Sequence, residues 1–80
     1  MAALNRAVAV AEVDGPQVAL AGLENLDLDG FYLFHAIRAD LLRRLGRNAD
    51  AVLAYDVAIA RSENTAERDF LQRRRQEVAL

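Results

Sequence analysis

Ala39-Asp40-Leu41-Leu42-Arg43-Arg44-Leu45-Gly46-Arg47-Asn48-Ala49-Asp50-Ala51-Val52-Leu53-Ala54-Tyr55-Asp56-Val57-Ala58 is the stretch on which the reading of the fold turns. Its apolar residues recur at three- and four-residue steps on both sides of Gly46, the spacing of one buried face on each of two helices. Small residues stand at Ala39, Ala51 and Ala58, with the large Leu42 and Tyr55 between them. Two antiparallel helices approach to about 8–10 Å only where small side chains occupy the crossing. Ala39 is therefore expected to face Ala51, with Leu42 and Tyr55 filling the space on either side and Ala58 leaving room for a following helix. Gly46 falls where a left-handed C-cap residue ends a helix, and Arg43 and Arg44 before it suit the negative end of the helix dipole. Asn48 is a candidate N-cap for the next helix.

The same pattern stands earlier in the chain. Ala7, Val10, Val13, Ala19, Leu23 and Leu26 precede Ala39, Leu42, Leu45, Ala51, Tyr55 and Ala58 by a constant offset of 32. A repeat of roughly 34 residues made of two helices marks tetratricopeptide-type arrays, in which each hairpin buries its face on the next. The first helix is expected over about 2–13 on the period of Leu4, Ala7, Val8 and Ala11. Asp14-Gly15 stops it, and Pro16 opens a second helix at the one helical position where a missing N–H is harmless. That helix carries Ala19, Leu20, Leu23 and Leu26 on one face. A connector leads to a third helix, expected over about 30–45, with Asp29 as its candidate N-cap and Phe31, Tyr32, Leu33 and Phe34 at its start. Asn64 followed by Glu67 has the form of a capping box, which places a fifth helix over about 65–78. This helix is expected to expose Arg68, Arg73, Arg74 and Arg75 and to bury Phe70, Leu71 and Val78, as the polar terminal cap of an array.

The expected fold is one all-α domain over 1–80: a hairpin over about 2–26, a second over about 30–61 and a capping helix. Repeat arrays usually need three or more units for stability, so two hairpins predict either self-association or docking on neighbouring sequence.

The chain is 80 residues long, 54% hydrophobic, with one proline, four glycines and no cysteine. A core of this size is marginal, and neither a disulfide framework nor a thiolate metal site is available to support it. The absence of cysteine fits a reducing compartment, and a cytoplasmic location is expected. No apolar run approaches the length of a membrane span, and no export signal is present. All ten basic residues are arginine, which together with sixteen alanines reads as a GC-rich coding sequence. Residues 1–40 carry a net charge of −4 and residues 41–80 a net charge of +2. The overall −2 gives no general drive toward nucleic acid.

Candidate binding residues are Asn5, Arg6 and Arg38. Arg6 and Arg38 share the offset of 32, and are expected side by side on a concave surface where they could pair with carboxylates of a partner. Asn5 reads equally as a groove residue or as a solvated side chain near a helix end. His35, the single histidine, has no second ligand for a metal and reads as packed or interhelically hydrogen-bonded. Arg73-Arg74-Arg75 spread over about 200° of a helix and so form no single stripe. With Glu67, Asp69 and Glu77 interleaved, they read as a solvated, internally paired face, for instance through Asp69–Arg73. The aromatic cluster at Phe31, Tyr32 and Phe34 reads as a plug between repeats. There is no phosphate-binding glycine loop and no nucleophile–base set, so no enzyme and no cofactor are expected.

Leu4-Asn5-Arg6-Ala7-Val8-Ala9-Val10-Ala11-Glu12, Asp14-Gly15-Pro16 and His35-Ala36-Ile37-Arg38-Ala39-Asp40-Leu41-Leu42-Arg43-Arg44-Leu45-Gly46-Arg47, with Asn64 to Leu71, resemble one bacterial family. It is the tetratricopeptide-like C-terminal extension of a group of extracytoplasmic-function RNA polymerase sigma factors, abundant in actinobacteria. The resemblance covers nearly the whole chain. The promoter-binding regions that precede this extension in the family have no counterpart here, so promoter recognition carries over to no residue. What the resemblance implies is the regulatory C-terminal part of a sigma factor, or a free-standing relative of it, acting in transcription regulation with a sigma-factor core, RNA polymerase or a signalling protein as partner. The alternative is a structural domain that pairs with its own copy.

Overall fold

The structure is a computed structural model and describes residues 2–79. It is all-α, with five helices: α1 (Ala2–Asp14), α2 (Pro16–Leu23), α3 (Tyr32–Arg44), α4 (Asn48–Arg61) and α5 (Thr65–Ala79). Among the described residues there is no strand. α1 pairs with α2 and α3 with α4; the first pair packs on α3, and α5 packs on α4.

The second hairpin closes on the residues that specify it. Leu45 ends α3, and Gly46 follows at φ +77°. Arg47 N–H donates to the Leu42 carbonyl (2.9 Å) and Gly46 N–H to that of Arg43 (3.0 Å). These are the two bonds of a Schellman motif, which satisfy carbonyls that a helix end would otherwise leave bare. Ala39, Leu42, Ala51 and Ala58 are wholly buried, and Tyr55 is 2% exposed. All five join one core with Leu4, Ala7, Ala11, Ala19, Leu20, Leu23, Phe34, Leu41 and Leu71.

The first hairpin is tighter at its turn and looser on its surface. A single residue, Gly15 at φ +95° and ψ 162°, separates α1 from α2. Pro16 occupies the first helical position, as its missing N–H favours. Ala7, Ala19 and Leu23 are buried, but Val13, expected in the repeat face, is 82% exposed. Its place at the last turn of α1, next to the sharp corner, aims it away from α2.

Three expected helix ends shift. α2 stops at Leu23 rather than near Leu26; beyond it Asn25 N–H bonds Gly22 and Leu26 N–H bonds Leu23, a tightening final turn. Leu26 nevertheless packs against the core from the connector. Asp29 is not the N-cap of α3, which begins at Tyr32 behind an extended Phe31 that makes no side-chain cap. The Asp29 carbonyl instead accepts the His35 ring Nε2–H at 2.6 Å, so the histidine staples the connector onto α3. Asn48 is likewise not a cap: Arg47 holds the N-cap position, and its guanidinium reaches Asp50 (Nη2–Oδ2 2.8 Å) in the first turn of α4. An acid there also suits the positive end of the helix dipole.

Asn64 and Glu67 do form the start of α5. Glu67 N–H donates to Asn64 Oδ1 (2.8 Å), and the Glu67 carboxylate accepts Glu63 N–H (3.3 Å). The Tyr32 phenol lies beside this carboxylate at the start of α5, and its hydroxyl, ahead of the cap bonds, holds Glu67 below the usual 4.5. The Glu67 carboxylate in turn raises Tyr32 above its usual 10.0. Leu71 and Val78 are buried as expected, but Phe70 is 52% exposed. It faces a groove rather than the core.

Candidate interaction groove

The helices that open each unit, α1, α3 and α5, lie along one side of the molecule and line a hollow of about 230 Å³. Small-molecule sites commonly occupy about 300–1,000 Å³, so this one suits a few side chains of another polypeptide better than a cofactor. Its floor is apolar: Ala11 from α1, Ala36, Ile37 and Leu41 from α3, Tyr55 from α4 and Leu71 from α5. Val8 and Phe70 stand on opposite walls and are 46% and 52% exposed. Exposed apolar side chains facing each other across a concavity mark binding surfaces more than scattered ones do.

The rim is charged. Asp40, Arg44 and Arg74 line it. Asp40 is held closely, accepting Arg43 Nη2 at 2.5 Å. Among the described residues Arg44 makes long contacts, to Asp40 (3.8 Å) and Glu12 (3.7 Å). Arg74 stacks its guanidinium 5.5 Å from the centre of the Phe70 ring and reaches Glu77 at 3.7 Å. Both guanidinium groups therefore keep donor capacity toward the groove. Beneath the rim, burial pushes the Tyr55 phenol up, while the adjacent Arg43 guanidinium pulls it down. Among the described residues the buried Arg43 Nε has no hydrogen-bond partner.

Arg6 and Arg38 do not share this groove. Arg6 lines a hollow on the α1–α2 pair with Ala7, Val10, Ala19, Gly22 and Leu26. Arg38 lines others between α2, α3 and α4, where its Nε donates to Glu24 Oε1 at 3.1 Å. Their offset of 32 does give them equivalent places, but each faces the unit that would precede its own. Asn5 is exposed on α1. His35 packs edge-on to Phe34 (5.0 Å, 89°) and serves the connector. The arginine triplet disperses: Arg75 crosses to Asp56 on α4 (2.5 Å), Arg74 turns to the groove, and Arg73 sits with Asp69, Gln72 and Gln76 on the outer face of α5. The expected Asp69–Arg73 ion pair does not form; among the described residues the α5 arginines pair instead with Glu77 and Asp56.

The groove was hidden in the sequence because the offset of 32 selects buried positions. The residues that open the groove are the neighbours left over: Val8, exposed beside Ala7, and Phe70, exposed beside Leu71. A large apolar residue directly adjacent to a core position was the available signal.

Among the described residues no cluster of three or more metal-ligating side chains occurs, and no helix is long and apolar enough to cross a membrane. No family profile matches the chain, and no solved structure matches it. The chain is similar to an uncharacterized protein of Rhizobium meliloti (strain 1021), with 44% identity over 71 residues. The match takes in 86% of this chain but only 17% of that protein, so the chain spans about a sixth of the relative's length.

Proposed function

We propose that this chain is a non-catalytic protein-interaction module of tetratricopeptide-like build that receives a partner segment in the α1–α3–α5 groove. The observation that carries the reading is the pairing of exposed Val8 and Phe70 across an apolar floor, beneath Arg44 and Arg74. An apolar anchor with a carboxylate beside it would fill such a site, since guanidinium–carboxylate bonds add orientation to apolar burial. The resemblance of Leu4–Glu12 and His35–Arg47 to the sigma-factor extension gives the setting: regulation of transcription, with a sigma core, RNA polymerase or a regulatory protein as the partner, in the cytoplasm. The Rhizobium meliloti relative, far longer than the matched stretch, is in keeping with a module carried within a larger polypeptide.

The test is binding of the purified chain to a purified extracytoplasmic-function sigma core and, separately, to RNA polymerase core enzyme. Phe70→Ala and Arg44→Ala lie on the groove's accessible edge, so both variants are expected to retain helical circular dichroism while binding falls at least tenfold. Absence of binding to either protein removes the sigma-factor setting, and binding untouched by Phe70→Ala removes the groove.

A second reading, self-association as a structural domain, is favoured by the exposure of Leu53 (64%) and Phe31 (52%) on the connector side. Sedimentation over a concentration series separates the two: a monomer that binds supports the module, and a tight dimer that buries Leu53 supports the alternative.

A further inference from the structure

The stack is closed at one end and open at the other. The outer face of α5 presents Asp69, Gln72, Arg73 and Gln76, a polar end that needs no cover. The outer face of the α1–α2 pair presents a hollow of about 170 Å³ lined by Ala3 and by six residues of the repeat face, Arg6, Ala7, Val10, Ala19, Gly22 and Leu26.

Moved forward by the repeat offset, those six positions become Arg38, Ala39, Leu42, Ala51, Ala54 and Ala58. In the second hairpin none of the apolar five is more than 2% exposed. Arg38 there pairs at 3.1 Å with Glu24, at the C-terminal end of the preceding hairpin's second helix. In the first hairpin Arg6 and Gly22 are exposed, and Val10 and Leu26 are only half-buried. Ala7 and Ala19 are buried within their hairpin, as Ala39 and Ala51 are in the second; the surface made by the other four positions occurs twice, covered in the second hairpin and partly bare in the first.

We propose that the outer α1–α2 face is the docking site for one further helical hairpin of this repeat type, whose second helix ends in a carboxylate that pairs with Arg6. The interface between the first and second hairpins supplies the template, and the Arg38–Glu24 pair supplies the charge match. A second copy of the chain cannot supply that carboxylate by stacking end to end: the Glu24 side of its own α1–α2 pair already lies against α3, and its other end is the polar face of α5. The matched residues make up only 17% of the Rhizobium meliloti relative, so that protein holds further polypeptide beside this stretch.

The experiment is a tandem chain in which residues 1–32 are duplicated in frame ahead of Met1, which preserves the repeat offset. The donor copy then offers its Glu24 to Arg6 of the acceptor copy. One cooperative transition is expected, with Tm at least about 5 °C above that of the 80-residue chain, the shift that a gain near 1 kcal/mol gives a domain of this size. Arg6→Glu in the acceptor copy should lower this gain, and Glu24→Arg added in the donor copy should restore it. A tandem chain that aggregates, melts in two steps or melts no higher overturns the proposal, as does a charge swap that fails to restore Tm. An unmodified chain that sediments as a dimer, and becomes a monomer on Arg6→Glu, assigns the face to a second copy and overturns it as well.

Discussion

In the second hairpin a Schellman turn at Gly46 hands α3 to α4, and Ala39, Leu42 and Ala51 are wholly enclosed. In the first, a one-residue corner at Gly15 does the joining, and the counterpart of Leu42 is a half-buried Val10. One repeat pattern has therefore produced a second unit covered on both sides and a first unit covered on one. The spacing of small and large residues specifies how two helices pair within a unit. How deeply the unit is buried depends on its neighbours. In a solenoid each unit contributes its own stability and its nearest-neighbour terms, and the first hairpin lacks one of the latter.

The largest effect that follows lies at the paired positions Leu42 and Val10. Leu42→Ala is expected to cost about 2–5 kcal/mol, because a fully enclosed leucine leaves a cavity its surroundings cannot fill. Val10→Ala should cost less than about 1 kcal/mol, since the side chain is part-solvated already. Urea unfolding followed by circular dichroism measures both, and equal losses would show that the two hairpins are equally covered in solution.

Next come the two glycines at the hairpin corners. A Cβ added at either would meet no atom within 4 Å, so substitution is opposed by backbone conformation alone. Gly46, at φ +77°, is in the left-handed region, where Ala costs about 1–2 kcal/mol and Asn is tolerated better. Gly15 at φ +95° and ψ 162° is in a region that only glycine populates readily, with strain of about 1–3 kcal/mol for other residues. Gly46→Asn should therefore recover much of the stability lost in Gly46→Ala, whereas Gly15→Asn should recover little of that lost in Gly15→Ala. Thermal melts of the four variants check this, and rescue at Gly15 would mean that the corner of the first hairpin relaxes.

Much of the fold was legible because the strongest signals are local and carry their own geometry. A glycine shortly after two arginines at a helix end, and an asparagine three residues before a glutamate, each specify backbone bonds within one turn, and both formed. Asp29 and Asn48 carried equally good cap chemistry and were not used. At Asp29 the helix starts three residues later, at Tyr32, with the connector held by its carbonyl to His35, and at Asn48 the Schellman turn had already positioned Arg47 as the cap. Where a neighbouring turn sets the start of a helix is not visible in a pattern of residue types. Phe70 shows the same limit at longer range: it has the period of a core residue, but the groove it borders exists only once α1 and α3 are in place.

Smaller effects belong to the clasp that joins the second hairpin to α5. Asn64→Ala should cost about 1 kcal/mol, the usual loss for an N-cap. Because Glu67 is held below its usual value, its contribution is present above pH 4.5 and is lost as pH falls through the folded-state value. Tyr32, held above 10.0, contributes fully below that pH, and its share is lost as pH rises through the raised value. Tyr32→Phe should therefore flatten Tm against pH at both the acid and the alkaline end. A profile unchanged by Tyr32→Phe would show that the clasp contributes nothing. The first hairpin has no such tie to α5, so its local opening, read by amide hydrogen exchange, should be insensitive to the same change.

The smallest effect is the most informative about how the two hairpins meet. Arg38 and Glu24 are bonded at 3.1 Å, but their side chains remain 30% and 53% exposed. Pairs in that setting contribute about 0.2–1 kcal/mol, and screening by salt lowers it further. Arg38→Ala and Glu24→Ala each also lose the apolar contact of their stems, so neither alone reports the pair. The double-mutant cycle isolates it, and a coupling of about 0.5 kcal/mol at low salt that fades at high salt is expected. Arg6→Ala, made at the equivalent position with nothing opposite it, should show no coupling to Glu24 and no salt dependence. If Arg38 stabilises and Arg6 does not, identical side chains at equivalent positions differ only in whether a neighbouring hairpin is present. If Arg6→Ala destabilised the chain as much as Arg38→Ala, the distinction between the hairpins would fail, since Arg6 would then have a partner within the first hairpin and its outward face would not be open.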